Sequence, residues 1–257
     1  MSKGKYYFSK SLEKGLKILT LFDAETPVLT QSGIARTLGM NMTSTYRYIN
    51  TLQELGYLEK DLKTKEIRPS ILCQLLCNNL TQATDRLRLV KAVVDRIHRE
   101  NNISIDVVLI VDDTLRRLYH RVAQETLTYS LPDEAKHCLH NTALGKAYLF
   151  SLPGDQLPGK IGALKLAART SQTIVDAALL IKQLQAYKRR GYAMCAEEYL
   201  QGLVAIGAPL MDTTRGKGIG AVSFDFSILQ HSAGEIEAKY GTMIIETAQS
   251  LSEVLSA

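Results

Sequence analysis

Thr43, Tyr46, Arg47 and Asn50 stand at i, i+3, i+4 and i+7, a spacing that gathers four polar side chains on one face of a helix. Such a set can read duplex DNA. A guanidinium grips guanine bidentately, an amide side chain reads adenine, and hydroxyls reach phosphates. Asn41 is placed to cap this helix, and Ser44 joins the set in its first turn. Lys60, Lys63 and Lys65 follow in a polar stretch that could touch the flanking backbone. The same pattern also fits the solvated face of a helical hairpin that binds nothing anionic.

Positioning such a face requires a particular set of elements. Thr45, Ile49, Leu52 and Leu55 give the third helix an apolar side toward its own domain. Before it, Leu12, Leu16, Ile18, Leu19 and Phe22 predict an amphipathic helix starting at a Ser11 cap and running to about Asp23. A second helix begins after Thr30, carries Ile34, Ala35 and Leu38, and stops at Gly39. Gly39-Met40 leaves only a short turn before the third helix, and Gly56 ends the latter. Tyr57-Leu58 and Ile67-Arg68, joined by the polar turn 61–66, read as the two strands of a wing. Helix, turn, helix and basic wing predict a winged helix-turn-helix over residues 1–70.

Two further helices, about 71–80 and 84–99, read as a linker spanning 71–101, the second with the stripe Leu87, Val90, Val94 and Ile97. From residue 102 the period changes. Strand pairs at 106–111/115–122 and 204–211/219–226 interleave with helices near 141–151, 173–190 and 233–254, which predicts an α+β domain with an antiparallel sheet.

Composition narrows the function classes. The chain has 257 residues, 46% hydrophobic and 22% charged, enough for two cored domains. Residues 1–75 hold eleven Lys/Arg against seven Asp/Glu, so +4 of the net +5 sits there. No apolar run reaches the ~20 residues of a bilayer span, and Met1-Ser-Lys-Gly-Lys leads into no apolar leader. Cys73, Cys77, Cys138 and Cys195 form no CxxC pair, consistent with reduced thiols in a cytoplasmic protein without a cofactor. His137, Cys138 and His140 lack a fourth ligand at useful spacing. Gly216-Lys-Gly-Ile-Gly precedes a strand-like run instead of a helix, so it reads as a hairpin turn and not a phosphate loop. Glu197 and Glu198 are adjacent in an extended pattern and should point opposite ways, a poor acid/base pair.

Several stretches together resemble one family. Ser11-Leu-Glu-Lys-Gly-Leu-Lys-Ile-Leu, Gly33-Ile-Ala-Arg-Thr-Leu-Gly-Met, Thr45-Tyr-Arg-Tyr-Ile-Asn-Thr-Leu and Leu55-Gly-Tyr are similar to the DNA-binding half of the isocitrate lyase regulator (IclR) family. Asn141-Thr-Ala-Leu-Gly-Lys-Ala and the stretch from Arg190-Gly-Tyr-Ala-Met-Cys to Ile206-Gly-Ala-Pro resemble its effector-domain signatures, in the same order. Asn41 and Met42 depart from that pattern, where a small residue and a basic residue are frequent.

The resemblance implies a GAF-like effector domain over 102–257 that binds a small organic or aromatic acid. It implies a pocket at the helix start Ala143, Leu144, Gly145 and Ala147. From the later strands it implies Cys195, Leu203, Ala205, Ser223 and Asp225, with Tyr129 closing one side. Free N–H groups at that helix start would favour a carboxylate. The resemblance also implies homodimers pairing into dimers of dimers on a pseudo-palindromic operator. Two other readings stay open. One is an enzyme acting on a small acid under an N-terminal regulatory domain; the other is an interaction module that dimerises through the 84–99 helix.

Overall fold

The computed structural model describes residues 8–23, 25–124 and 138–256. The chain divides into two compact units, Met1–Thr84 and Asp85–Ala257.

In the first unit, α1 (Lys10–Leu19) is capped by Ser9, whose hydroxyl accepts from Leu12 N at 3.2 Å. The cap therefore lies two residues before the expected Ser11, and the helix stops short of Asp23. Strand β1 (Leu29–Thr30) leads into α2 (Gln31–Leu38), which ends at Gly39 in the left-handed region, φ +61°. After α3 (Met42–Glu54), strands β2 (Leu58–Lys60) and β3 (Glu66–Pro69) pair antiparallel, and β1 adds to β3 to give the order β1-β3-β2. Ile18, Ile34, Ile49, Leu52, Leu58 and Ile67 close one core among helices and wing. Leu55, expected on the inner face of α3, is instead exposed, because α3 ends at Glu54 and the chain turns there. This is a winged helix-turn-helix. Next, α4 (Ile71–Gln82) is anchored by Ser70, which caps it and donates to Gly56 O, yet α4 buries no residue.

The second unit begins with α5 (Arg86–Asn101), so the stretch 71–101 divides between the units. Val90, Val94 and Ile97 are sealed against the sheet, which ties α5 to the second unit. The hairpin β4 (Ser104–Val111) and β5 (Thr114–Arg121) turns on Asp112 and Asp113, both at positive φ. Then come α6 (Ala143–Ser151), α7 (Leu157–Gly162) and α8 (Ala177–Arg190). Strands β6 (Ala193–Ala196), β7 (Leu203–Asp212) and β8 (Lys217–Ser227) and the long α9 (Ala233–Ser256) complete it. The short α7 has no counterpart in the sequence reading. The sheet is antiparallel in the order β5-β4-β8-β7-β6.

Alternation sorts the strands into two faces. On β8, Val222, Phe224 and Phe226 join Ile236, Ile244 and Leu251 of α9 in one core. Ala221 faces the other way, into a core with Leu144, Ala147 and Leu149 of α6 and Leu180 and Leu184 of α8. The protein is therefore α+β, with an N-terminal winged helix-turn-helix and a C-terminal antiparallel-sheet domain covered by helices.

Candidate nucleic-acid interface and effector cavity

The inner side of α3 is fixed at several points. Asn41 caps it, its Oδ1 accepting from Ser44 N at 2.7 Å, and the buried Thr45 hydroxyl donates to Asn41 O at 3.0 Å. Gln31 at the start of α2 donates to Met42 O at 3.4 Å, and Tyr48 OH reaches Ser11 of α1 at 3.4 Å. With Ile49 and Leu52 in the core, the helix cannot roll. Its opposite face presents Thr43, Tyr46 and Arg47 to solvent, with Ser44 and Asn50 half-covered beside them. Among the described residues Arg47 has no ion-pair partner, so its guanidinium stays available.

The wing tip is built by Asp61. Its carboxylate accepts from Lys63 N at 2.7 Å and Thr64 N at 2.9 Å, and these bonds, the Thr64 one foremost, hold it below the usual carboxylate range. Lys65 sits at φ +63° and donates its N–H to Asp61 O. Lys63 and Lys65 are thereby exposed at the tip, while Lys60 is half-buried at its base. Arg68 on β3 is paired with Glu59 at 3.2 Å and is partly neutralised.

The second unit holds a small cavity of about 20 Å³ between α6 and the sheet. Of the expected effector residues, Ala143, Leu144, Cys195, Leu203, Ala205, Ser223 and Asp225 line it. Strand register brings the later ones together: Cys195 pairs with Ala205, and Ala205 with Asp225. Gly145 and Ala147 lie elsewhere. Gly145 packs on the Leu139 backbone so closely that a Cβ would collide with it, and Ala147 points into the α6–α8 core. Tyr129 and His137 lie outside the described residues. His140 is buried with its Nε2 3.0 Å from Ala167 O, and burial lowers its pKa. Among the described residues no group of three His, Cys, Asp or Glu side chains could hold a metal.

The cavity also recruits residues the sequence reading left out: Asn141, Thr142, Glu198 and Tyr199. Thr142 caps α6, accepting from Gly145 N at 3.0 Å and donating to Cys138 O at 2.6 Å. Asn141 is fully buried, and neither its Oδ1 nor its Nδ2 has a hydrogen-bond partner. Glu198 accepts at Oε1 from the fully buried Lys146, which also donates to Gln183 at 2.6 Å; its Oε2 is buried without a partner. Adjacent acids were expected to diverge, and they do: Glu197 takes φ +56° and accepts from Gly202 N, leaving Glu198 to turn inward.

On the sheet side, Ser223 donates to Asp225 Oδ1 at 3.0 Å, and Asp106 of the neighbouring β4 is held by Arg117 at 2.8 Å. Burial, and after it the charge of Asp106, raises the Asp225 carboxyl well above its ordinary range. The Cys195 thiol, wholly buried, is pushed up to about 12, which makes it a poor nucleophile. A helix start, an unpaired amide and buried carboxyl groups suit reversible ligand binding better than bond making.

Comparison with known proteins agrees with this geometry. The family model described as "Bacterial transcriptional regulator IclR C-terminal" matches residues 79–253, and "IclR helix-turn-helix domain" matches 11–62. The Pca regulon regulatory protein of Pseudomonas putida is 22% identical over 246 residues, covering 95% of this chain and 83% of that one. The IclR transcriptional regulator from Alicyclobacillus acidocaldarius superposes with TM-score 0.77 at 18% identity, over 98% of this chain and 100% of that one. An IclR homologue from Microbacterium hydrocarbonoxydans, solved with 4-hydroxybenzoate, gives TM-score 0.69 at 17% identity, over 95% and 98%. The first two are regulators by name. With the C-terminal family model covering well over half of its length and the helix-turn-helix model covering its start, the chain belongs to the IclR family of DNA-binding transcriptional regulators.

Proposed function

We propose that this regulator binds pseudo-palindromic operator DNA as a homodimer, two dimers pairing on longer sites, and that a small organic acid in the α6 cavity sets its affinity. On the DNA, Thr43, Ser44, Tyr46, Arg47 and Asn50 contact base edges and phosphates in the major groove while Lys60, Lys63 and Lys65 hold the flanking backbone. Asn41 contributes by capping α3. The observation that carries the reading is the polarity of α3, whose apolar side is locked in the core while its Thr43–Arg47 side is open. The exposed leucines of α4 (Leu72, Leu75, Leu76 and Leu80) supply an apolar strip that a second copy would cover. The 4-hydroxybenzoate seen in the Microbacterium homologue supports an acid as effector.

The test is duplex binding by purified full-length protein and by Arg47→Ala. Arg47 is exposed, so the variant keeps the parent's thermal midpoint. Its operator affinity should fall by about 1–3 kcal/mol, and discrimination at one base position should relax. An unchanged affinity would contradict the assignment of the α3 face.

A further inference from the structure

The cavity read above as the effector site has two chemically different walls, and together they restrict what it can take. On the α6 wall, Ala143 and Leu144 lie in the first turn, where N–H groups have no partner within the helix. Beside them stands Asn141, fully buried with its amide Nδ2 and Oδ1 unpartnered. A buried amide without hydrogen bonds is costly unless something in the cavity satisfies it. This wall offers donors to an anion, and the helix dipole favours a negative charge there.

The other wall offers acceptors. Glu198 Oε2 is buried and unpartnered, and the Asp225 carboxyl stands next to the Ser223 hydroxyl. The register sets Asp106 opposite Ser223, two residues along the strand from Asp225. Charges on this wall are already matched: Lys146 with Glu198, and Arg117 with Asp106. The cavity of about 20 Å³ has room for about one water before side chains move.

We infer that the effector is a short aliphatic hydroxy acid, its carboxylate on the α6 N-terminus and the Asn141 amide, its one hydroxyl proton donated to Glu198 Oε2 beside the Asp225 carboxyl. The other common substituents fit this wall less well. An oxo group has lone pairs only, and it would face another unpaired acceptor at Glu198. An ammonium would bring a buried charge to a wall whose carboxylates already have cations, and burial disfavours ionising Asp225 to receive it. Any acid makes the side chains around the cavity give way, and an aromatic ring requires the largest displacement.

This rests on the reading of the cavity as the effector site, and the experiment separates the two. Full-length protein is titrated calorimetrically, and its thermal midpoint followed, with glycolate, lactate, glyoxylate, pyruvate, glycine, propionate and 4-hydroxybenzoate. Glycolate or lactate should bind at least tenfold more tightly than propionate and than either oxo acid. Asp225→Ser should shrink that preference for the hydroxyl to under threefold, and Asn141→Leu should weaken every acid at least tenfold. Should one variant fail to fold, the other and the ligand series still decide. Preference for an oxo, amino, unsubstituted or aromatic acid overturns the hydroxy-acid inference and leaves the effector site standing. If no acid shifts the midpoint or releases heat, both fall.

Discussion

Asp225 sits in an environment that its residue type does not suggest. A carboxyl buried beside Asp106 favours its neutral form, so its folded pKa lies above its unfolded one. The sign follows from linkage. Such a group stabilises the fold fully below the unfolded pKa, and the contribution is lost as pH rises through the folded value. Asp225→Asn removes this loss while keeping a donor for Asp106. The variant's melting temperature should therefore gain on the parent's as pH rises from about 4 to 8, measured by calorimetry across that range. A difference that does not vary with pH contradicts the assignment. Asp225 itself was legible as a pocket residue from the sequence signature. Its partners were not, because Asp106 and Arg117 arrive from a different hairpin and only strand register brings them alongside. Glu198 escaped for a similar reason: its role depends on Lys146, 52 residues earlier, and on the turn forced at Glu197.

Helices and strands were more readable where a local rule governs them. The Thr30 and Asn41 caps and the Gly39 and Gly191 stops come from backbone chemistry written in one or two residues. The start of α1 went astray because Ser9 and Ser11 are both able caps, and the chain uses Ser9. The short α7 carries too few turns for a period to show. At this scale the Lys146–Glu198 pair matters most, since it fastens α6 to the loop after β6. Both groups are buried, so breaking the pair costs more than the pair itself contributes. Lys146→Met leaves Glu198 unpaired, and urea unfolding should report a loss of about 3–5 kcal/mol. Adding Glu198→Gln should restore most of it. A single variant destabilised by under about 1 kcal/mol would show that water reaches the pair.

The whole chain joins a DNA-binding unit to a ligand-binding unit, each with its own core. Charge follows that division, with nearly all the net positive charge in the first 75 residues. Phosphate contacts from the wing should make binding salt-dependent, and loss of Lys63 or Lys65 should lower the slope of log affinity against log salt by about one each. The effector can act only through a difference in its affinity for the DNA-competent and incompetent arrangements. The sequence signature made the division and the family visible, but neither the wall chemistry of the cavity nor the operator.

Selection from a random duplex pool by full-length protein at physiological salt tests the central claim most directly. The account predicts enrichment of an inverted repeat whose half-sites are about one helical turn apart. It also predicts that Arg47→Ala enriches the repeat more weakly, with one base position of each half-site relaxed. A pool that stays random after repeated rounds, while the protein remains folded, would contradict it.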